Sequence, residues 1–102
     1  MVIKKRWLTG LLLLLVPAWP GAAPAAQLRL TWTDNSYNEA GFQVERRRGT
    51  TGTFTPITTV GMNITAYVDT TVTAGVIYCY QVRAFNADGA SAPSNVVCRQ
   101  GQ

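Results

Sequence analysis

The 102-residue chain contains no histidine, only two cysteines, five acidic residues and 14% charged residues in all. Each scarcity removes a class of chemistry. Without histidine there is no side chain that titrates near neutral pH as a general base, and the commonest zinc ligand is missing. Two cysteines with no CxxC spacing and no further ligand give neither a metal site nor a redox motif. No cofactor is implied. The carboxylates Asp34, Glu39, Glu45, Asp69 and Asp88 are too few and too scattered along strands and turns to face each other in pairs, as glycoside hydrolysis requires. The abundant Ser and Thr have no base to activate them. These absences argue against an enzyme.

The formal net charge of +4 overstates the basic character of the chain. Lys4, Lys5 and Arg6 stand in front of an apolar run from Trp7 to Val16, leaving six basic and five acidic residues in the remainder. A near-neutral domain offers little counterion release to nucleic acid and no polybasic face to an anionic membrane. The basic start, the apolar run, the helix-breaking Pro17 and Pro20, and the small residues Ala23-Pro24-Ala25 together read as a secretory signal peptide over residues 1–25. Cleavage is expected before Ala26, with cleavage before Gln27 as the second choice. The apolar run is about half the roughly 20 residues a bilayer span needs, so no membrane span is expected after processing. No cysteine follows the run, so a lipidated N-terminus is not available. An exported chain, in periplasm, at the cell surface or in the medium, meets an oxidising environment.

From Ala26 to Gln102 the chain is rich in Thr, Val, Tyr and Gly, with short alternating segments between turn residues and no run of helical period. That pattern means strands. In Gln27–Thr33, Leu28, Leu30 and Trp32 fall on one face and Arg29, Thr31 and Thr33 on the other. Gly41–Arg47 puts Phe42 and Val44 inward, with Gln43 and Glu45 outward. Phe54–Val60 carries Pro56, which cannot donate to a ladder and so belongs at a sheet edge. Thr65–Asp69 is a short strand. Val76–Asn86 is the longest, with Tyr78, Tyr80, Val82 and Ala84 on one face. Ser94–Arg99 returns after a hairpin turn at Asp88-Gly89. About six strands with short turns predict an all-β fold, a small antiparallel sandwich.

If the last two strands pair about a turn centred between Asp88 and Gly89, facing residue numbers sum to 177, and Cys79 plus Cys98 meets that sum. The two thiols then stand opposite each other on the outer face of the hairpin, at a separation a disulfide can close. Closing a loop of about 20 residues stabilises by roughly 3 kcal/mol on the chain-entropy account.

The segments Leu30-Thr31-Trp32, Gly41-Phe42-Gln43-Val44-Glu45-Arg46 and Gly75-Val76-Ile77-Tyr78-Cys79-Tyr80-Gln81-Val82-Arg83-Ala84-Phe85-Asn86 occur in an order and spacing that resembles a fibronectin type III domain of the bacterial extracellular type. The resemblance covers residues 27–99 and implies an immunoglobulin-like β-sandwich. It matches Trp32 to the core tryptophan, and Val72 and Tyr78 to a tyrosine corner, whose hydroxyl bonds to backbone upstream of its strand. Ser94-Asn95-Val96-Val97 matches the last strand, and Tyr80 joins the expected core. One departure stands out. The family's first strand lies about ten residues upstream of the tryptophan strand, where this chain has Ala/Pro-rich cleavage-site sequence, so the Gln27–Thr33 strand is left as an edge that could template another strand. Partial cover by Pro20–Ala26 together with tolerated loss of the first strand is the expectation, ahead of a strand donated by another chain.

The resemblance implies a non-catalytic binding or spacer module, with an unknown protein or a polysaccharide as partner. Such modules often accompany carbohydrate-active enzymes. Arg46, Arg47 and Arg48 are read first as a solvated edge that discourages aggregation and second as a patch for an acidic polymer. Alternation places Phe85 outward beside Gln81 and Arg83, which makes Arg83, Phe85 and the turn residue Asp88 further candidates for a binding surface. The Asn86–Ser91 segment contains no Arg-Gly-Asp adhesion motif, and Asn63-Ile64-Thr65 fits a glycosylation acceptor. A monomer is expected. The alternative is a self-assembling subunit in which a neighbouring chain supplies the missing first strand.

Overall fold

A computed structural model describes residues 13–17, 26–36 and 38–102. Among them lie eight strands and no helix: β1 (Leu13–Pro17), β2 (Leu28–Trp32), β3 (Gly41–Arg48), β4 (Thr55–Gly61), β5 (Ala66–Asp69), β6 (Ile77–Asn86), β7 (Gly89–Ala90) and β8 (Val97–Gln100). All pairings are antiparallel. One sheet runs β1-β2-β5. The other runs β4-β3-β6-β7, with β8 on the same edge of β6 as β7.

Period-two alternation divides each strand between a core side and an outer side. Leu28, Leu30 and Trp32 of the first sheet meet Phe42, Val44, Tyr78, Tyr80, Val82 and Ala84 of the second in a single buried cluster that also takes in Val72. Trp32 and Phe42 pack edge to face, with ring centroids 5.7 Å apart at 62°, the arrangement the ring quadrupoles favour. Burying a large apolar side chain contributes on the order of 1.5–3 kcal/mol, so this layer of aromatic and β-branched residues dominates the stability of the domain. Pro56 sits on the edge strand β4 opposite Glu45, where the β3–β4 register shifts between Val44 and Glu45. There its missing donor is tolerated, as expected.

Two expectations need correction. The hairpin does not keep one register. At its tip Phe85 faces Ala90 and Asn86 faces Gly89, whereas further down Cys79 faces Cys98 and Tyr80 faces Val97. The tight turn therefore closes one residue earlier, at Ala87-Asp88, and residues 91–96 bulge from the ladder instead of forming the start of a Ser94–Arg99 strand. Serine side chains fill the gap. The Ser91 and Ser94 hydroxyls accept from the Ala84 and Val82 amides at 3.0 and 2.9 Å, while their own amides donate to the Ala84 and Val82 carbonyls at 2.9 and 2.8 Å.

The second correction concerns the edge of β2. The family's first strand was expected to be missing there, with at most Pro20–Ala26 partly covering the edge. Instead β1 covers it in a continuous register from Leu13↔Trp32 to Pro17↔Leu28, and β1 also lies beside β8. The covering strand comes from the apolar run assigned to the leader. Residues 1–12 and 18–25, which hold the basic start and the cleavage motif, lie outside the described residues.

Candidate functional site

The candidate binding residues do not form one patch. Arg46, Arg47 and Arg48 share a strand but not one environment: alternation puts Arg46 and Arg48 on one face and Arg47 on the other, and only Arg48, at the strand end, is exposed.

Arg46 points to the core side. Its Nη1 donates to Asp69 Oδ2 at 2.8 Å and to the Thr71 hydroxyl at 2.7 Å, and its guanidinium lies 5.1 Å from the Tyr78 ring centroid. Asp69 is fully buried, and it also accepts the Tyr80 hydroxyl at 2.7 Å, the Thr71 amide at 2.9 Å and the Thr71 hydroxyl at 2.6 Å. Burial pushes the Asp69 carboxyl up, but the bonds from Thr71, Tyr80 and Arg46 outweigh it and hold the carboxyl below the ordinary value. Burial, followed by the bond to that carboxylate, pushes the Tyr80 phenol well above its usual range. Burial opposes the charge on Arg46, and Asp69 more than offsets it. Neither acid nor phenol is poised to exchange a proton near neutrality. The cluster ties β5 of one sheet to β3 and β6 of the other, so Arg46 is a structural residue. The sequence offered no signal for this beyond an aspartate at the end of a strand.

Arg47 faces outward with its guanidinium carbon over the Phe54 ring, 4.6 Å from the ring centroid, and with Nη1 reaching the Gly52 carbonyl at 3.4 Å. Its Nε is buried without a hydrogen-bond partner. Arg48, at the end of β3, is exposed.

The outer face of β3 and β6 is more closed than alternation suggested. Glu45 and Gln81 are buried. Glu45 Oε1 accepts from Gln81 Nε2 at 2.6 Å and from Arg83 Nε at 3.0 Å, and Arg83 Nη1 donates to the Ser91 carbonyl at 3.1 Å. Phe85, expected to stand exposed, is half-buried. Its ring lies over Gly41, directly across the ladder, where there is no side chain to displace it. Asp88 is exposed at the hairpin tip, its amide accepted by Asn86 Oδ1 at 2.8 Å. The face therefore consists of the buried Glu45 and Gln81 with the half-buried Arg83 bonded to Glu45, flanked by Phe85 on one side and by Arg47 over Phe54 on the other. Such a surface offers planar groups and fixed polar atoms.

A second network, also missed in the sequence, closes the loop between β2 and β3. The Ser36 hydroxyl donates to Glu39 Oε1 at 2.7 Å, the Ser36 amide donates to Asp34 Oδ1 at 3.0 Å, and Glu39 Oε2 accepts the Asn63 amide at 3.3 Å. Asn63 holds a left-handed φ of 64°, a conformation Asn tolerates well. Burial raises the Asp34 carboxyl, while Glu39, also opposed by burial, is held low by the Ser36 hydroxyl and backbone amides. No group of three or more metal-ligating side chains gathers among the described residues.

The disulfide joins Cys79 and Cys98 as expected, although the turn lies one residue earlier than the expectation assumed and the shift across residues 91–96 brings the two cysteines opposite each other. Cys79 is buried and Cys98 exposed. Tyr78 accepts the Thr73 amide on its hydroxyl at 2.8 Å, which forms the expected tyrosine corner, and Val72 packs beside it in the core.

No family model matches the sequence. The structure superposes on the fibronectin type III domain of the human fibronectin type III domain containing protein 3, with a TM-score of 0.62, 26% identity, and coverage of 82% of this chain and 84% of that one. The fold is that of a fibronectin type III domain. Pectate lyase PelI from Erwinia chrysanthemi contains a similar structure in 26% of its chain, with a TM-score of 0.68, 22% identity and 86% of this chain covered. In sequence, 73 residues are 36% identical to an amylopullulanase from Thermoanaerobacterium thermosulfurigenes. Those residues are 72% of this chain but 4% of the amylopullulanase, so the chain spans a small fraction of the curated relative.

Proposed function

We propose that this domain is a non-catalytic binding or spacer module exported from the cell, and that it contacts polysaccharide through the outer face of β3 and β6. The observation that carries the reading is its 36% identity over 73 residues to a small part of an amylopullulanase, an arrangement in which a compact module accompanies a much larger carbohydrate-active chain. The geometry of the face is compatible with this role. Phe85 and the Arg47–Phe54 stack offer flat surfaces for sugar rings, and the Glu45–Gln81–Arg83 network holds polar atoms in fixed positions between them. Pre-ordered groups lose less entropy on binding than free side chains do. Export follows from the basic, apolar and small-residue segments of residues 1–25.

Affinity electrophoresis of the oxidised chain through gels containing amylose, pullulan or polygalacturonate tests the proposal. Retardation by one polymer, weakened in Phe85→Ala and Arg83→Ala but retained in Asp88→Ala, supports polysaccharide recognition by this face. Retardation by none rejects it and leaves a spacer.

A further inference from the structure

Two properties of the β2 edge, its backbone parity and its sequence symmetry, bear on what it can pair with once β1 is taken away. The Trp32 amide donates to the carbonyl of Thr65, the residue just before β5, at 3.0 Å. Antiparallel ladders alternate in direction, so Leu28, Leu30 and Trp32 turn their backbone groups toward β5, while Arg29 and Thr31 turn theirs toward β1. The Gln27 amide is already taken by the Gln102 carbonyl at 3.1 Å, which bounds the edge at its start. The sequence Leu28-Arg29-Leu30-Thr31-Trp32 also reads apolar–polar–apolar–polar–apolar from either end. Leu14 and Val16 of β1, by contrast, stand at the register positions of Thr31 and Arg29. An edge strand with one solvated face normally carries polar residues at such positions. The apolar composition of β1 therefore suits a membrane-targeting segment better than a permanent edge.

We infer that when the leader is removed, the vacated β2 edge pairs with β2 of a second copy, antiparallel and centred on Leu30, to form a two-fold dimer with one continuous β5-β2-β2-β5 sheet. The register follows from the sequence. Leu30 lies on the axis, Leu28 faces Trp32 of the other copy, and Arg29 faces Thr31. Every core-side position meets an apolar residue, every outer position a polar one, and no like charges are opposed. The backbone parity is also correct, because Arg29 and Thr31 are the residues whose N–H and C=O groups face the vacated edge, so each facing pair exchanges two hydrogen bonds. A self-complementary patch of this kind is what a closed two-fold interface requires, and pairing two edges removes both from aggregation.

The inference rests on leader cleavage, so the experiment reads that step separately. The full-length chain is expressed in an exporting host, and the secreted, oxidised product is weighed by mass spectrometry and sedimented across a wide concentration range. A product beginning at Ala26 or Gln27 that forms a concentration-dependent dimer is expected. A product that keeps Leu13–Pro17 overturns the leader reading and the inference with it. A correctly processed monomer, an open series of larger oligomers, or a foreign peptide bound on the edge overturns the dimer alone.

Two variants test the register on the solvated face, away from the core. Thr31→Lys sets like charges opposite Arg29 on both sides of the axis and should raise the dimer dissociation constant roughly two- to thirty-fold, from cross-strand pair energies of the usual size. Combining it with Arg29→Glu restores opposite charges and should restore association, which a general loss of stability would not do. Equal dissociation constants for T31K and the unaltered chain, or no recovery in the R29E/T31K variant, overturn the proposed register.

Discussion

Asp69 is the residue whose loss should cost this domain most for the fewest atoms removed. It is fully buried and accepts hydrogen bonds from Thr71, Tyr80 and Arg46, so Asp69→Ala strands a phenol in the core and a guanidinium beside it. Removing one partner of a buried ion pair typically costs about 3–5 kcal/mol. Arg46 keeps 23% of its side chain exposed and can turn part of its charge back to water, which places the loss near the lower end, about 3 kcal/mol. A domain of this size is stable by roughly 5–15 kcal/mol, so the variant should still fold while its urea midpoint by circular dichroism falls sharply. Tyr80→Phe leaves the carboxylate its other donors and should cost about 1.5 kcal/mol, the lower range for a hydrogen bond to a charged group. Combining Asp69→Ala with Arg46→Met should cost less than the two single changes added together, because the second substitution removes the charge that the first left unpaired.

The same carboxylate predicts a pH signature. Its folded value lies below the ordinary 3.8, so the unfolded chain takes up the proton first as the solution is acidified. The stabilisation is therefore complete above the unfolded value and is lost as pH falls through it toward the folded one. Asp69→Ala should flatten the slope of stability against pH below about pH 4.5 relative to the unaltered chain. A loss under about 1 kcal/mol for Asp69→Ala, or strict additivity with Arg46→Met, would refute the latch between the sheets.

Three further outcomes are expected. Reducing the Cys79–Cys98 bridge, whose cysteines are 19 residues apart, should lower stability by roughly 3 kcal/mol on the chain-entropy account, seen as a drop in urea midpoint with reductant that C79S/C98S abolishes. Gly41→Ala would drive a methyl group into the Val60 carbonyl and against the Phe85 ring, and the β4 edge must shift to admit it. A loss of about 2 kcal/mol or more is expected, with faster amide exchange in β4. Tyr78→Phe removes the acceptor of the Thr73 amide and should cost about 1 kcal/mol, which calorimetry would register as a lowered melting temperature.

Alternation along Leu28–Trp32, Phe42–Val44 and Tyr78–Ala84 was enough to assign the core faces of three strands, because period-two burial is a local property of a pleated strand. The cysteine pairing came out right from a premise the hairpin does not keep: facing residues sum to 175 at the tip, and the extra length in residues 91–96 restores the sum of 177 along β8, where Cys79 meets Cys98. By itself the sequence thus determined the class of fold and the core tryptophan and tyrosines.

The tertiary structure decided the rest, and in each case the physical cause is non-local. Arg46 looked like one of three solvated arginines until a partner 23 residues away, Asp69, gave its charge a place on the core side. Phe85 read as exposed because alternation does not register that Gly41, on another strand, leaves room for its ring. Ser91 read as a loop residue and Ser94 as the start of the last strand, yet their hydroxyls replace ladder bonds where the hairpin changes register. The apolar run before Pro17 was assigned to export, and no local rule could pair it with Leu28–Trp32. Edge pairing depends on which strand ends up beside which, and only the folded chain settles that.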